Sequence, residues 1–258
     1  MRRPDRFYKY RSLATDLERG RVADLITHSR LFYSAPAGFN DPFEFRYNLS
    51  FEGSPEQRRA RIAAIIPKMK NAGTPDGDAQ GAYLLNIVEQ VPANEAAAIL
   101  EPLVVDTFRT KTALYSVSAI PDDVLMWSHY SDSHKGVCLE FDANVDPPWL
   151  TAFPVSYSET IPTLNFYTDN EIERVRAVML TKAQRWKYEA EWRCVDVNGG
   201  PGLRPFNPDS LTGVVFGLSC PQGTIDHVRG LVTGRGRAVE LKRAALATGT
   251  YTLRLESL

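Results

Sequence analysis

Cysteine is scarce in this chain, and its scarcity removes several possibilities at once. Only Cys138, Cys194 and Cys220 are present, far apart and never as a CxxC pair. That pattern argues against a disulfide framework or a zinc ribbon, and it fits a reducing compartment. An excess of either charge is also missing. Thirty Lys and Arg face 31 Asp and Glu, for a net charge of −1. No global field therefore draws nucleic acid or an anionic membrane, and any such contact must come from a local patch. No run approaches the ~18 apolar residues of a membrane span. The opening MRRPDRFYKYRSL is basic but lacks the apolar stretch of a signal peptide. The expectation is a cytoplasmic protein with no membrane partner, although an effector exported by a specialised machine would read the same way. GxxxxGK[ST], GxGxxG after a strand, GxSxG and HExxH are all absent, as are internal repeats and low-complexity tracts.

What is present is an ordinary globular composition, 43% apolar and 24% charged over 258 residues. That length suits one large domain. Residues 6–13 alternate and are aromatic-rich, predicting a first strand. Residues 14–28 predict a helix with Asp16 and Glu18 in its first turn, and residues 30–34 a short strand. Residues 35–44 form a loop rich in Gly, Pro, Asn and Asp. Residues 55–110 read as helical throughout, broken or kinked at Pro67, and form an inserted helical layer. Strands are then predicted at 112–118, 136–142, 153–157, 190–197, 213–218, 237–241 and 250–256, with helices at 169–187 and 222–233. Without regular βαβ alternation the class is α+β, with mixed, largely antiparallel central sheets.

Four segments carry polar residues in patterns that suggest a site. In Trp186-Lys187-Tyr188-Glu189-Ala190-Glu191-Trp192-Arg193 a period of two puts Glu189, Glu191 and Arg193 on one face, opposite Tyr188 and Trp192. Such carboxylates can orient a sugar hydroxyl or stabilise positive charge; alternatively the run is an exposed strand with a local ion pair, usually worth under ~1 kcal/mol. Met126 to Gly136 holds His129 and His134, two of only four histidines, with Trp127 and Tyr130. The histidines suit acid–base or hydrogen-bonding roles, or structural burial; five apart and without Cys or His neighbours, they do not suggest a metal site. Asn40 and Asp41 either line a pocket beside Tyr33 and Ser34 or serve as an Asx-turn. In Lys9-Tyr10-Arg11-Ser12 the arginine can hold a phosphate or carboxylate.

With YKYRSL (8–13), LFYSAPAGFNDPFE (31–44), MWSHYSDSHKGVCLEFD (126–142) and KAQRWKYEAEWR (182–193) in this order, the chain resembles the bacterial family DUF2971. Taken as one such domain it spans residues 1–258, with the helical insertion at about 55–110. A second resemblance is to ADP-ribosyltransferase-like folds, through a first strand ending in a basic residue, a strand reading LFYS and a late strand opening on Glu. That resemblance implies a fold of this type and NAD as the substrate nucleotide. Arg11, with Tyr10, would hold NAD, Tyr33 and Ser34 would lie beside the nicotinamide, and Glu191 would be the catalytic carboxylate, flanked by Glu189 and His129. Asn40, Asp41, Trp127, Tyr130 and His134 complete the expected binding set. The function this implies is an NAD-consuming enzyme, an ADP-ribosyltransferase with a protein or nucleic-acid acceptor or an NAD glycohydrolase, serving as a toxin, effector or defence component. Two alternatives stand beside it. One is a nucleic-acid-processing or nucleotide-binding module, with His129 and His134 as acid/base groups and a basic groove made by residues 58–70, Lys182, Arg185 and Lys187. The other is a non-catalytic sensor or interaction domain.

Overall fold

The computed structural model describes residues 2–71, 77–92, 95, 98 and 112–258. The strands of the first half are β1 (Arg6–Arg11), β2 (Arg30–Tyr33), β3 (Asn48–Ser50), β4 (Ala113–Ser118), β5 (Val137–Asp142), β6 (Phe153–Pro154) and β7 (Ser156–Ser158). Those of the second half are β8 (Thr163–Asn165), β9 (Thr181–Ala183), β10 (Glu191–Asp196), β11 (Gly202–Pro205), β12 (Leu211–Phe216), β13 (Glu240–Leu246) and β14 (Leu253–Ser257). Eight of them make one sheet in the order β14-β13-β12-β5-β1-β4-β10-β6. Only the β12–β13 pairing in that sheet is parallel. The fold is α+β on a large, mostly antiparallel sheet, as the lack of βαβ alternation predicts.

Alternation along the strands gives the sheet two apolar faces. On one lie Phe7, Phe141 and Trp192, covered by Trp149 of the short helix Pro147–Leu150, by Val22, Leu25 and Ile26 of the helix Asp16–His28 and by Ile225, Val228 and Val232 of the helix Gln222–Gly234. The first helix starts where its sequence says it should: Thr15 and Glu18 form a reciprocal capping box. On the other face Tyr10, Cys138 and Val215 pack with Met126 and Trp127 of the short helix Val124–Tyr130. All three cysteines are buried thiols.

The predicted helical block is present as helices Pro55–Asn71 and Gly77–Gln90, while most of 91–111 lies outside the described residues. Pro67 does not end the first helix. Ile62 packs with Leu84 and Ile87 and, from later in the chain, Phe166 and Tyr167, forming a small core of their own. Among the described residues no helix is long and apolar enough to cross a membrane.

The helix expected over 169–187 needs correction. It is capped by Asn170, runs only over Glu171–Met179, and gives way to β9 and a 3-10 helix, Gln184–Glu189. Hydropathy spacing missed the reason, which is tertiary. The Met179 carbonyl accepts a bond from Arg193 Nη1 at 2.6 Å, and β9 pairs with β7 in a second small sheet.

The feature that positions the site is a separation inside the large sheet. β1 runs in register with β5 over all six residues, yet meets β4 only at Tyr8↔Ser118. Farther along β4, Leu114 exchanges both backbone bonds with Ser34 at 2.9 Å each. By the two-residue alternation Ser116 also turns its backbone groups to that side, where no strand among the described residues pairs with it. The parted strands leave a cleft between β1, β4 and the residues after β2. The end of β1 is held by Gly136, whose backbone sits so close that an added Cβ would lie 2.1 Å from the Arg11 carbonyl oxygen.

Two glycine substitutions should therefore act in opposite directions. Gly136→Ala is expected to cost about 2 kcal/mol or more by overpacking against backbone. Gly230→Ala, in the open on the helix Gln222–Gly234, should gain about 0.5–1 kcal/mol. Urea unfolding of both variants measures the difference, and equal midpoints would contradict the close approach at Gly136.

Candidate functional site

The cleft is a cavity of about 300 Å³, at the small end of ligand-binding pockets. β1 supplies Tyr8, Lys9, Tyr10 and Arg11, and β4 supplies Leu114 to Ser118. Phe32, Ser34, Phe39 and Asn40 close one side, and Met126, Tyr130, Lys182, Glu189 and Glu191 the other.

Seven of the sequence-predicted site residues therefore meet here: Tyr10, Arg11, Ser34, Asn40, Tyr130, Glu189 and Glu191. Five do not line the cavity. Tyr33 points into the core, 5.8 Å from the Tyr115 ring. Phe32 and Ser34, its neighbours on the alternating strand, face the cleft instead. Asp41 is buried and makes the Asx-turn, accepting from Phe43 N at 2.9 Å. Trp127 is fully buried, donating through Nε1 to the Pro121 carbonyl at 2.9 Å. His134 stacks on Trp127 with rings 6.3 Å apart and 12° from parallel, and burial pushes its imidazole pKa down, which favours the neutral form. His129 is exposed, its ring 6.3 Å from Trp186 and Tyr188 and 6.4 Å from Tyr130.

Glu189 and Glu191 do share a location, though not by the simple strand alternation. Glu189 ends the 3-10 helix, Ala190 takes a left-handed conformation (φ 44°), and Glu191 opens β10. Both carboxylates meet Lys182, whose Nζ pairs with Glu189, with Glu191 at 3.1 Å and with Glu44 at 3.5 Å. Arg193 clasps Glu191 at 2.8 and 2.9 Å, and reaches Glu44 at 2.6 Å. Every member is buried, the Arg193 side chain completely. The alternative of an exposed strand with one weak ion pair is thus replaced by a desolvated network. Its cations were expected elsewhere, Lys182 in a basic groove and Arg193 in a local strand ion pair. The hint in the sequence was a Lys and an Arg bracketing two glutamates within KAQRWKYEAEWR.

Three carboxylates share two cations, and the two glutamates resolve the imbalance differently. Burial alone would raise Glu191, but the Arg193 and Lys182 charges outweigh it and hold its carboxyl well below the usual range. Glu189 moves up, because burial, with the neighbouring Glu191 charge, outweighs Lys182 and the hydroxyl of Tyr130 that donates to it. Arg193 holds Glu191 as an anion, whereas burial works against the charge on Glu189. Two phenols lining the same cavity stay protonated, burial holding Tyr8 and Tyr115 up at about 12.

Arg11 contrasts with these paired groups. It lies 6.0 Å from the Tyr115 ring, lines the cavity and, among the described residues, has no carboxylate within ion-pairing distance. An unpaired guanidinium in a cleft is a ready anion site. The basic groove considered from the sequence does not assemble in the same way. Lys182 is taken up by carboxylates, and Arg58 and Arg61 lie over Tyr167 and Phe166 at 5.7 and 5.6 Å.

Removing a partner from the buried network should be costly. Arg193→Met is expected to destabilise by about 3–5 kcal/mol, because Glu44 and Glu191 lose one of their two cations out of reach of water and are left to share Lys182. Arg254→Met, which breaks the exposed pair with Glu256, should cost under ~1 kcal/mol. Chemical denaturation of the two variants side by side checks this; similar losses would mean that the network is screened.

Among known proteins, the model of the family described as Protein of unknown function (DUF2971) matches residues 126–147. This stretch runs from the helix Val124–Tyr130 through β5, and the match bears out the resemblance to that family. No curated protein and no solved structure matches the chain.

Proposed function

We propose that the cleft binds NAD as a substrate and breaks its nicotinamide N-glycosidic bond, as an NAD glycohydrolase or an ADP-ribosyltransferase. The observation that carries this reading is that one cavity joins Arg11, which among the described residues has no carboxylate within ion-pairing distance, to Glu189, a carboxylate whose pKa burial raises. A dinucleotide offers what each requires: phosphate for Arg11, and a ribose carbon that develops positive charge near Glu189. A cavity of about 300 Å³ suits the nicotinamide riboside half enclosed, with the remainder extending from the mouth. Tyr8, Tyr10 and Phe32 give that half an aromatic lining.

In the proposed step the carbon–nitrogen bond to nicotinamide breaks and its electron pair leaves on the ring nitrogen. The oxygen of water, or of a protein or nucleic-acid acceptor, adds to the anomeric carbon. The proton of that oxygen passes to Glu189, which must be ionised to take it. The resemblance to ADP-ribosyltransferase-like folds gives the catalytic part to Glu191; the geometry supports Glu189 better, since both oxygens of Glu191 are held by Arg193. Glu191 then serves to set the charge against which Glu189 titrates. Tyr130 orients the Glu189 carboxylate through its hydroxyl.

Incubation with NAD should release nicotinamide, measured by chromatography, and Glu189→Gln should reduce the rate about 100-fold or more. Arg11→Met should raise KM more than it lowers kcat, as expected for a binding contact. No release from the wild-type chain with water or any offered acceptor would defeat the proposal.

The pH profile provides a second check. Activity that needs ionised Glu189 rises with pH through its pKa, which burial has moved above the ordinary glutamate range. The Tyr130 hydroxyl favours the ionised form, so Tyr130→Phe should push the acid limb to still higher pH, by about one unit. An unchanged or downward-shifted limb would remove Glu189 as the proton acceptor.

A further inference from the structure

We propose that Lys9 is an imine-forming amine, which adds to the carbonyl carbon of an aldehyde or 2-oxo compound carrying an anionic group. This goes beyond the N-glycosidic reading and does not rest on it.

The argument begins with how differently the two lysines of the cavity are placed. Lys182 is surrounded by three carboxylates and has every reason to remain an ammonium ion. Lys9 has none within ion-pairing distance among the described residues. Its Nζ donates to the Ser116 carbonyl and lies 4.9 Å from the centre of the Tyr115 ring. A carbonyl accepts from a neutral amine as well as from an ammonium, so nothing in direct contact demands the charged form. The surroundings on every side can be read in the same terms. Arg11 on the same strand and Lys182 on β9 oppose a charge on Lys9, whereas Glu189 and Glu191 favour one. Burial is the largest influence, and the balance holds the amine well below the usual lysine range. A lysine desolvated beside a second cation is a recognised way to make a nucleophilic amine near neutral pH.

The same strand supplies recognition. Lys9 and Arg11 are two residues apart on β1 and so share a face of the strand. A compound whose carbonyl reaches Lys9 can place a carboxylate or phosphate on Arg11, which has no carboxylate within ion-pairing distance among the described residues. The amine lone pair attacks the carbonyl carbon, the resulting carbinolamine loses one water molecule, and a carbon–nitrogen double bond remains. No electron acceptor or donor is required, and the protons move between nitrogen, oxygen and the nearby Glu189 carboxylate or water.

The test is reductive trapping of the wild-type chain with glyoxylate and cyanoborohydride at neutral pH, followed by peptide mass mapping. Lys9 should be modified about tenfold faster or more than any other lysine, in folded protein but not in urea. Its rate should level off at lower pH than the rates at the exposed Lys135 and Lys187. Propanal, which has no anionic group, should show less preference for Lys9, and Lys9→Arg should abolish the fast adduct. Adducts distributed evenly over the lysines of the folded chain, or a Lys9 rate unchanged by urea, would overturn the proposal, and equal preference for propanal would remove the role of Arg11. Because the assay reads the amine and not nicotinamide, its failure and that of the NAD reading are separable.

Discussion

Lys182 and Arg193 allow three carboxylates to be buried within reach of one another. Without those cations, Glu44, Glu189 and Glu191 could not all remain away from water, because the desolvation of each anion costs several kcal/mol. The network also joins segments distant in sequence: the loop carrying Glu44, the start of β9, the 3-10 helix ending at Glu189, and β10. One negative charge is left over when all three carboxylates ionise. Glu191 cannot take up that difference, since Arg193 holds it from the side. Burial and the neighbouring Glu191 charge oppose the anion at Glu189 most directly, the carboxylate that accepts from Tyr130. The raised pKa of Glu189 is thus a consequence of how the fold balances its buried charge.

The cleft has a similar origin in an unmet structural requirement. Two neighbouring strands that part within a sheet leave backbone donors and acceptors without a ladder, and such groups must find other partners. Ser34 meets this need at Leu114, and Lys9 at Ser116. The position of Lys9 is therefore fixed by the backbone of β4, while its amine stays inside the cavity. Gly136 keeps the end of β1 against β5 and away from β4. The opening lies in the middle of the sheet, with both apolar faces supporting it, so its walls are strands that cannot easily shift.

Much of this could be read in advance because it follows local periodicity. The strands β1, β4, β5 and β10 and the helix Asp16–His28 fall within about two residues of their expected spans, since alternation, capping and turn residues act over a few positions. The four polar segments do meet around one cavity. What periodicity could not reveal was which of two adjacent residues faces it: Phe32 and Ser34 do, and Tyr33 does not. Nor could it reveal that the helix from Glu171 stops at Met179, because the competing partner of that carbonyl, Arg193, is fourteen residues away. Lys9 was passed over because a lysine on an aromatic strand normally extends into water, and only the parting of β1 from β4 gives it another setting.

The segment that carries the family match shows why its histidines mislead. Asp132, Ser133 and His134 are three consecutive non-glycine residues with positive φ, at 49°, 51° and 66°, a conformation that costs roughly 1–2 kcal/mol per residue. The turn persists because its backbone is held from both directions. His134 N donates to the Trp127 carbonyl at 3.2 Å, Gly136 N to Ser131 at 2.7 Å, and Ser219 N to the His134 carbonyl at 3.0 Å. Gly217 has to be glycine-sized there, since a Cβ would lie 2.1 Å from that carbonyl oxygen. His134 is thus a packing element seated on Trp127, with Nε2 3.2 Å from Ser128 Oγ. What the strained turn achieves is to return the chain sharply from the helix Val124–Tyr130 into β5, leaving Tyr130 at the helix end to meet Glu189. The residues in this segment that reach the cleft are Met126 and Tyr130, while His129 is exposed and His134 lies against Trp127.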